Sequence, residues 1–188
     1  MKLKRQNVID WDTLYIGIAA LASFRSKDPD TQNGAVIIDG QKRIVSIGYN
    51  GLPDGCSDDE FPWDREADRE ALTKYPYVLH SEENAFHNSP IRDLDGCALY
   101  IFSEKGYLPC AHCSRGIVKR HIKEVVLAWT GTDISKQYTT GPGSFEASQK
   151  MFEARGVKIR LLKNPEIGID KIVGFLNDSK QKMLKSLK

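Results

Sequence analysis

Ala35-Val36-Ile37-Ile38 and Ile44-Val45-Ser46-Ile47-Gly48-Tyr49 decide the fold. Both runs are short and rich in β-branched residues, and Asp39-Gly40 parts them, so they predict a β-hairpin. Upstream, Asp12 to Arg25 carries Leu14, Ile18, Leu21 and Ala22 at helical spacing, with Asp12 placed to cap. Downstream, helical and strand patterns alternate. His80 to Asn88 reads as a helix stopped before Pro90, Cys97 to Ser103 as a strand, and Pro109 to Arg120 as a helix with proline at its start. Val125 to Trp129 is a strand. Ser144 to Arg155 is a helix, with Ser144 as cap and Gly156 as stop. Val157 to Leu162 is a further strand, and Ile167 to Leu187 is mostly helical. A hairpin followed by alternating elements predicts an α/β sheet covered on both faces, with five strands in mixed orientation.

The 188 residues fit one domain, 1–188, with a sizeable core. About 40% are apolar and 28% charged, the balance of a soluble globular chain. No run approaches the roughly 18 apolar residues of a membrane span. Asn7, Asp10 and Asp12 stand where a signal peptide needs an apolar stretch, so a cytoplasmic location is expected. A net charge of +2 with interleaved signs disfavours gripping a nucleic-acid backbone. The lysines of the tail (Lys180, Lys182, Lys185 and Lys188) read as a solvated helix face. Asn50 to Tyr77 is a long polar stretch broken by Gly51, Pro53, Gly55, Pro62 and Pro76, and loops of that length are usually functional or disordered.

Four cysteines in such a chain speak against a disulfide framework, and the close pair Cys110/Cys113 asks for a metal or a redox role. With His80 they make three zinc ligands and leave a fourth position for water. The start of a helix favours thiolates there through its unpaired N–H groups. Glu82, two residues past His80, can face that water without ligating the metal. Zinc lowers the pKa of bound water towards about 7, so hydroxide is the expected nucleophile, with Glu82 moving its proton to the ring nitrogen and the departing amine. The His-x-Glu…Pro-Cys-x-x-Cys pattern is the signature of zinc nucleobase deaminases.

Other readings compete. Half of a structural zinc ribbon needs a fourth ligand, and neither Cys56 nor Cys97 has a partner cysteine. A thioredoxin-like pair gives His80 and Glu82 no role. His112 is expected to point away from the ion, His87 to pack or face solvent, and His121 to complement a helix dipole.

Further blocks resemble the deoxycytidylate (dCMP) deaminase family of the cytidine deaminase superfamily. They are Arg25-Ser26-Lys27-Asp28-Pro29, Thr31-Gln32-Asn33-Gly34-Ala35, Gly48 to Asp59 (GYNGLPDGCSDD), Lys74-Tyr75-Pro76-Tyr77-Val78, His80-Ser81-Glu82 and Pro109-Cys110-Ala111-His112-Cys113. The zinc motif marks the superfamily, whereas the GYNGLPDGCSDD block is more specific. The resemblance implies a three-layer α/β/α sandwich of cytidine-deaminase type, assembled as a homohexamer. It implies hydrolysis of dCMP to dUMP and ammonia, activation by dCTP and inhibition by dTTP, with Mg2+ accompanying the triphosphate. It places Arg25, Lys27 and Asn50 at the nucleotide's phosphate and sugar, and Glu82 at the proton shuttle. Tyr138 is the candidate for a tyrosine that closes over the nucleotide. Gly51, Asp54, Gly55, Asp58 and Asp59 fall in the effector loop, where Asp58, Asp59 and Glu60 offer oxygen ligands to Mg2+.

The chain departs from the family at Ser81, where alanine is usual, at Asn33, where valine is usual, and at Glu83, where leucine is usual. An amide at Asn33 bears on base or sugar selectivity. Some relatives bind a second, structural zinc through the cysteine at Cys56; no ligand set for it is found, so one zinc per chain is expected. The alternatives are a deaminase of another cytosine nucleotide, nucleoside or small heterocycle, a nucleic-acid deaminase, which would want a basic groove with stacking aromatics, and a catalytically dead sensor, which would be expected to lack Glu82.

Overall fold

The computed structural model describes residues 3–103, 108–128, 143–162 and 165–186. Helix α1 (Trp11–Ser23) leads into β1 (Asn33–Ile38) and β2 (Ile44–Tyr49). After a long loop with one 3-10 turn at Glu70–Leu72 come α2 (Ser81–His87), β3 (Ala98–Ser103) and α3 (Ala111–Lys119). Then follow β4 (Glu124–Ala128), α4 (Ser144–Arg155), β5 (Lys158–Leu162) and α5 (Pro165–Ser186). The strands form one mixed sheet in the order β2-β1-β3-β4-β5. β1 is antiparallel to both neighbours, and β3, β4 and β5 run parallel. The five-stranded α/β architecture is the one expected.

Each strand alternates its side chains between two layers. Ala35, Ile37, Leu99, Ile101, Val125 and Leu127 face a cluster with Ala85 and Phe86 of α2 and Ile117 of α3. Val36, Ile38, Tyr100 and Val126 face Tyr15, Ile16 and Ala19 of α1. α5 lies outside α1, with Ile172 against Gly17. β1 is covered on both faces, which is why it reads as an unbroken apolar run. Two glycines set how closely the helices approach. A Cβ at Gly34 would lie 1.8 Å from the Ala19 carbonyl oxygen of α1, and one at Gly48 would lie 2.3 Å from the Ser81 carbonyl oxygen of α2. Only glycine lets both backbones come so near the sheet.

Several expected boundaries move. The cap of α1 is Asp10, whose carboxylate accepts from the Thr13 N–H at 2.8 Å. Asp12 lies inside the first turn and accepts instead from Tyr100 and from Arg160 (2.6 Å each). The hairpin connection runs from Asp39 to Arg43, closed by the Asp39 N–H on the Arg43 carbonyl, so Asp39-Gly40 is not a two-residue turn. Gly143, not Ser144, caps α4.

The long loop is tied at several points. Gly51 and Leu79 exchange backbone hydrogen bonds of 3.1 and 2.9 Å. Lys74 is buried and donates to both oxygens of buried Asp28 (2.6 and 2.7 Å) and to Asp30 (3.0 Å). No helix among the described residues is long and apolar enough to cross a membrane.

Candidate active site

Two helix starts converge on the sheet face that carries α2 and α3. His80 is the N-cap residue of α2 and Cys110 that of α3. Both are extended, and neither side chain caps its helix, so the imidazole and the thiol are left to point at each other. Cys113 sits in the first turn of α3. His80 Nδ1 lies 3.4 Å from each sulfur, and the three ligand atoms lie within 4.8 Å of one another. A tetrahedral ion with bonds of about 2.0 Å to nitrogen and 2.3 Å to sulfur needs N···S separations of about 3.5 Å, so the trio fits zinc. Among the described residues it is the one group of three His, Cys, Asp or Glu side chains with such spacing.

The three side chains and Glu82 shift one another's protonation. Hydrogen bonding from Cys113, and then from His80, outweighs burial and pulls the Cys110 thiol down to about 3. The same contact with Cys110 lifts His80 to about 9. Cys113 is pushed well up by its hydrogen bond to Cys110 and by burial. Glu82 is 7% exposed, and burial raises its carboxyl, against the pull of His80. It lies in the first turn of α2, two residues past His80, and its charge raises Cys113 further. The Ser81 hydroxyl, wholly buried, donates to Glu82 Oε2 at 2.9 Å.

The peptide before Cys110 is held from α4. The Pro109 carbonyl accepts from Ser114 (3.3 Å) and Ser148 (3.0 Å), and Ser144 Oγ accepts from the Ala111 N–H at 2.9 Å. Pro109 therefore precedes α3 and does not open it, and Ser144 serves α3 rather than its own helix. The spacing of the serines gave no sign of this, because the contacts join segments far apart in sequence.

Of the other histidines, His112 is exposed and meets Glu83 at 3.2 Å, and His87, also exposed, lies 4.0 Å from the same carboxylate. His121 follows α3 with φ 64° and meets Asp93 at 3.0 Å.

The residues expected at phosphate and sugar are distributed unequally. Arg25 and Lys27 line a cleft of about 220 Å3 with Tyr49, Leu52, Pro53 and Cys56, and with Gly51, Asp54, Gly55 and Asp58 of the expected effector loop. Lys27 is ion-paired with Asp58, and Asp59 also acts on it. Asn50 is buried, and both its amide donors are engaged, with Asp28 Oδ2 (3.3 Å) and the Thr31 carbonyl (2.9 Å). Its Oδ1 accepts from the Asn33 N–H at 2.8 Å. Tyr138 lies outside the described residues. Asp28 and Lys74 pair across 46 residues of sequence, which no local pattern signals.

Residues 9–129 match the family described as the cytidine and deoxycytidylate deaminase zinc-binding region. The chain is 39% identical over 157 residues to the deoxycytidylate deaminase of Homo sapiens, spanning 84% of this chain and 82% of that protein. It is 38% identical over 162 residues to a probable deoxycytidylate deaminase of Drosophila melanogaster, spanning 84% and 74%. In structure it is similar to the dCMP deaminase of the cyanophage S-TIM5, solved in complex with dCMP and dUMP. That likeness has a TM-score of 0.54 at 23% identity, over 79% of this chain and 94% of the other, and bears on fold alone.

Proposed function

The chain belongs to the cytidine and deoxycytidylate deaminase zinc-binding family, and from that premise we propose that it hydrolyses dCMP to dUMP and ammonia. The observation that carries the reading is a buried carboxylate, Glu82, fixed by Ser81 beside the His80–Cys110–Cys113 trio. Zinc held by those three supplies Lewis acidity and lowers the pKa of water at the site. Glu82 takes a proton from the attacking water and returns it to N3 of the cytosine ring. It then carries the proton of the new C4 hydroxyl to the amine, so that C4=O forms as the C4–N4 bond breaks. One water enters and one ammonia leaves. Burial around the trio keeps bulk water away from the charges that develop. Arg25 and Lys27 hold the 5′-phosphate, Asn50 lies towards the sugar, and Tyr138 closes over the nucleotide.

The reading extends to control. The loop with Gly51, Asp54, Gly55, Asp58 and Asp59 binds a triphosphate with Mg2+, so that dCTP activates and dTTP inhibits, within a homohexamer. Support comes from the cleft that joins Gly51, Asp54, Gly55 and Asp58 to Arg25 and Lys27, and from exposed apolar side chains such as Leu21 and Phe24.

The test is ammonia release from dCMP, CMP, deoxycytidine and cytidine side by side, with about one zinc per chain by metal analysis. Glu82→Gln should keep its zinc and lose activity by about 100-fold or more. Zinc-loaded protein that releases no ammonia from dCMP overturns the assignment.

A further inference from the structure

Across three neighbouring strands, the sheet ends in a polar row on the face that carries α2. The rows behind it are core: Gly48–Ala35–Ile101, then Ser46–Ile37–Leu99. The terminal row is Asn50, Asn33 and Ser103. The Asn50 N–H bonds the Asn33 carbonyl, and Asn33 pairs with Ser103. Because Ser81, in the first turn of α2, sits on Gly48, the terminal row lies just beyond the start of that helix, on the side of His80. β3 also ends there, at Ser103.

Among the described residues, two buried side-chain atoms have no hydrogen-bond partner, Asn33 Oδ1 and Ser103 Oγ. They belong to cross-strand neighbours on the same face, whose Cβ atoms stand about 5 Å apart. The Asn50 side chain cannot satisfy Asn33 Oδ1, since both its amide hydrogens go to Asp28 and Thr31. Folding stability alone would select apolar side chains here, because an unpartnered buried carbonyl or hydroxyl is destabilising. Two such groups side by side, at the edge of the candidate active site, are explained by a ligand that supplies the missing hydrogen bonds.

We infer that Asn33 and Ser103 form a neutral hydrogen-bonding subsite that grips a donor group of the substrate beside the reacting centre. The pair has no charge, and Asn33 presents a bare carbonyl acceptor, so a phosphate is excluded: at neutral pH it offers acceptors almost alone. The complementary groups on a cytosine nucleotide are a sugar hydroxyl and the 4-amino group. Each can donate to Asn33 Oδ1 while Ser103 Oγ serves as second partner. The subsite is thus a specificity determinant, and it rests on the reading of the chain as a nucleotide deaminase.

Asn33→Val and Ser103→Ala test it, each compared with wild type for zinc content, melting temperature and kcat/KM on dCMP, CMP and 2′,3′-dideoxycytidine monophosphate. Both variants should keep zinc and melt at or above the wild-type temperature, since each removes an unpartnered polar group. Both should lose about tenfold or more in kcat/KM on dCMP. If a sugar hydroxyl is gripped, the loss disappears on the dideoxy nucleotide. If the 4-amino group is gripped, it persists on all three. A melting temperature lowered by several degrees in both variants would mark a structural role and overturn the inference, as would kcat/KM within twofold of wild type on every substrate. Wild type inactive on all three nucleotides would instead sink the functional reading, and the melting temperatures would still judge the subsite.

Discussion

Ser81 stands where the family usually has alanine, and its hydroxyl donates to Glu82 while wholly buried. One hydrogen bond to a carboxylate that must swing between proton donor and acceptor fixes its rotamer and leaves the second oxygen for the substrate side. Ser81→Ala should therefore lower kcat about three- to tenfold, leave KM within twofold, and leave zinc content unchanged; steady-state kinetics with metal analysis decide this. A loss of zinc would show that Ser81 acts on the ligands and not on Glu82. At this scale the sequence was most readable where chemistry fixes spacing. His80, Cys110 and Cys113 could be picked out because a thiolate pair two residues apart at a helix start and a distant histidine have few other uses. The Ser81–Glu82 bond could not be anticipated, since adjacent helical residues do not ordinarily face each other. The pairing of Asn33 with Ser103 depends on strand register, which a local pattern does not contain.

At the scale of elements, the docking of α2 depends on what β2 leaves out. A methyl group at Gly48 would lie 2.3 Å from both the Ser81 carbonyl oxygen and the Ala85 nitrogen. Both obstacles are backbone, so the helix must shift and take His80 and Glu82 with it. Gly48→Ala should cost about 1–3 kcal/mol in chemical denaturation, and it should reduce kcat/KM by more than its loss of stability accounts for. Unchanged kinetics would mean that the helix absorbs the methyl without moving its first turn. The elements themselves were legible from periodicity, but their ends were not. Asp10 and Asp12 are equally good caps by residue type, and Asp12 is drawn off by Tyr100 and Arg160, which arrive from β3 and β5. Ser144 likewise has the composition of a cap and caps another helix.

At the scale of the molecule, two charge networks among the described residues hold distant segments together. Lys74 and Asp28 are each about 4% exposed, and their pair fastens the long loop to the segment before β1. Lys74→Met should destabilise the fold by about 3–5 kcal/mol by stranding a buried carboxylate, and adding Asp28→Asn should restore much of that in denaturant titrations. If the double variant is no better than the single, the ammonium contributes through packing. The second network joins Asp12, Arg160 and Glu124, tying α1 to β4 and β5. The Arg160 hydrogen bond holds the Asp12 carboxyl below its ordinary 3.8. Burial pushes Glu124 up, but bonds from Arg160 and Lys158 bring it net below its ordinary 4.5. Carboxyls lowered by folding add stability that is fully present above their unfolded values and is lost as pH falls through the folded ones. Arg160→Met should thus cost about 1 kcal/mol at pH 7, since the pair is partly solvated. The gap to wild type should close as pH falls from about 4 towards 2; a constant gap over that range would show that charge is not the cause.

The order of strands in space differs from their order along the chain, and this has a consequence in time. β1 gains β2 almost as soon as both exist, but its other edge is closed by β3, from Ala98 to Ser103. At a synthesis rate of about 5–20 residues per second, several seconds separate the emergence of the two partners. For that interval Ala35-Val36-Ile37-Ile38, apolar and uncharged, is a hairpin edge with free backbone donors and acceptors. The newborn chain is then at its most adhesive, and crowded expression or slowed translation between Tyr49 and Ala98 should trap it in aggregates before Cys110 and Cys113 have even been made.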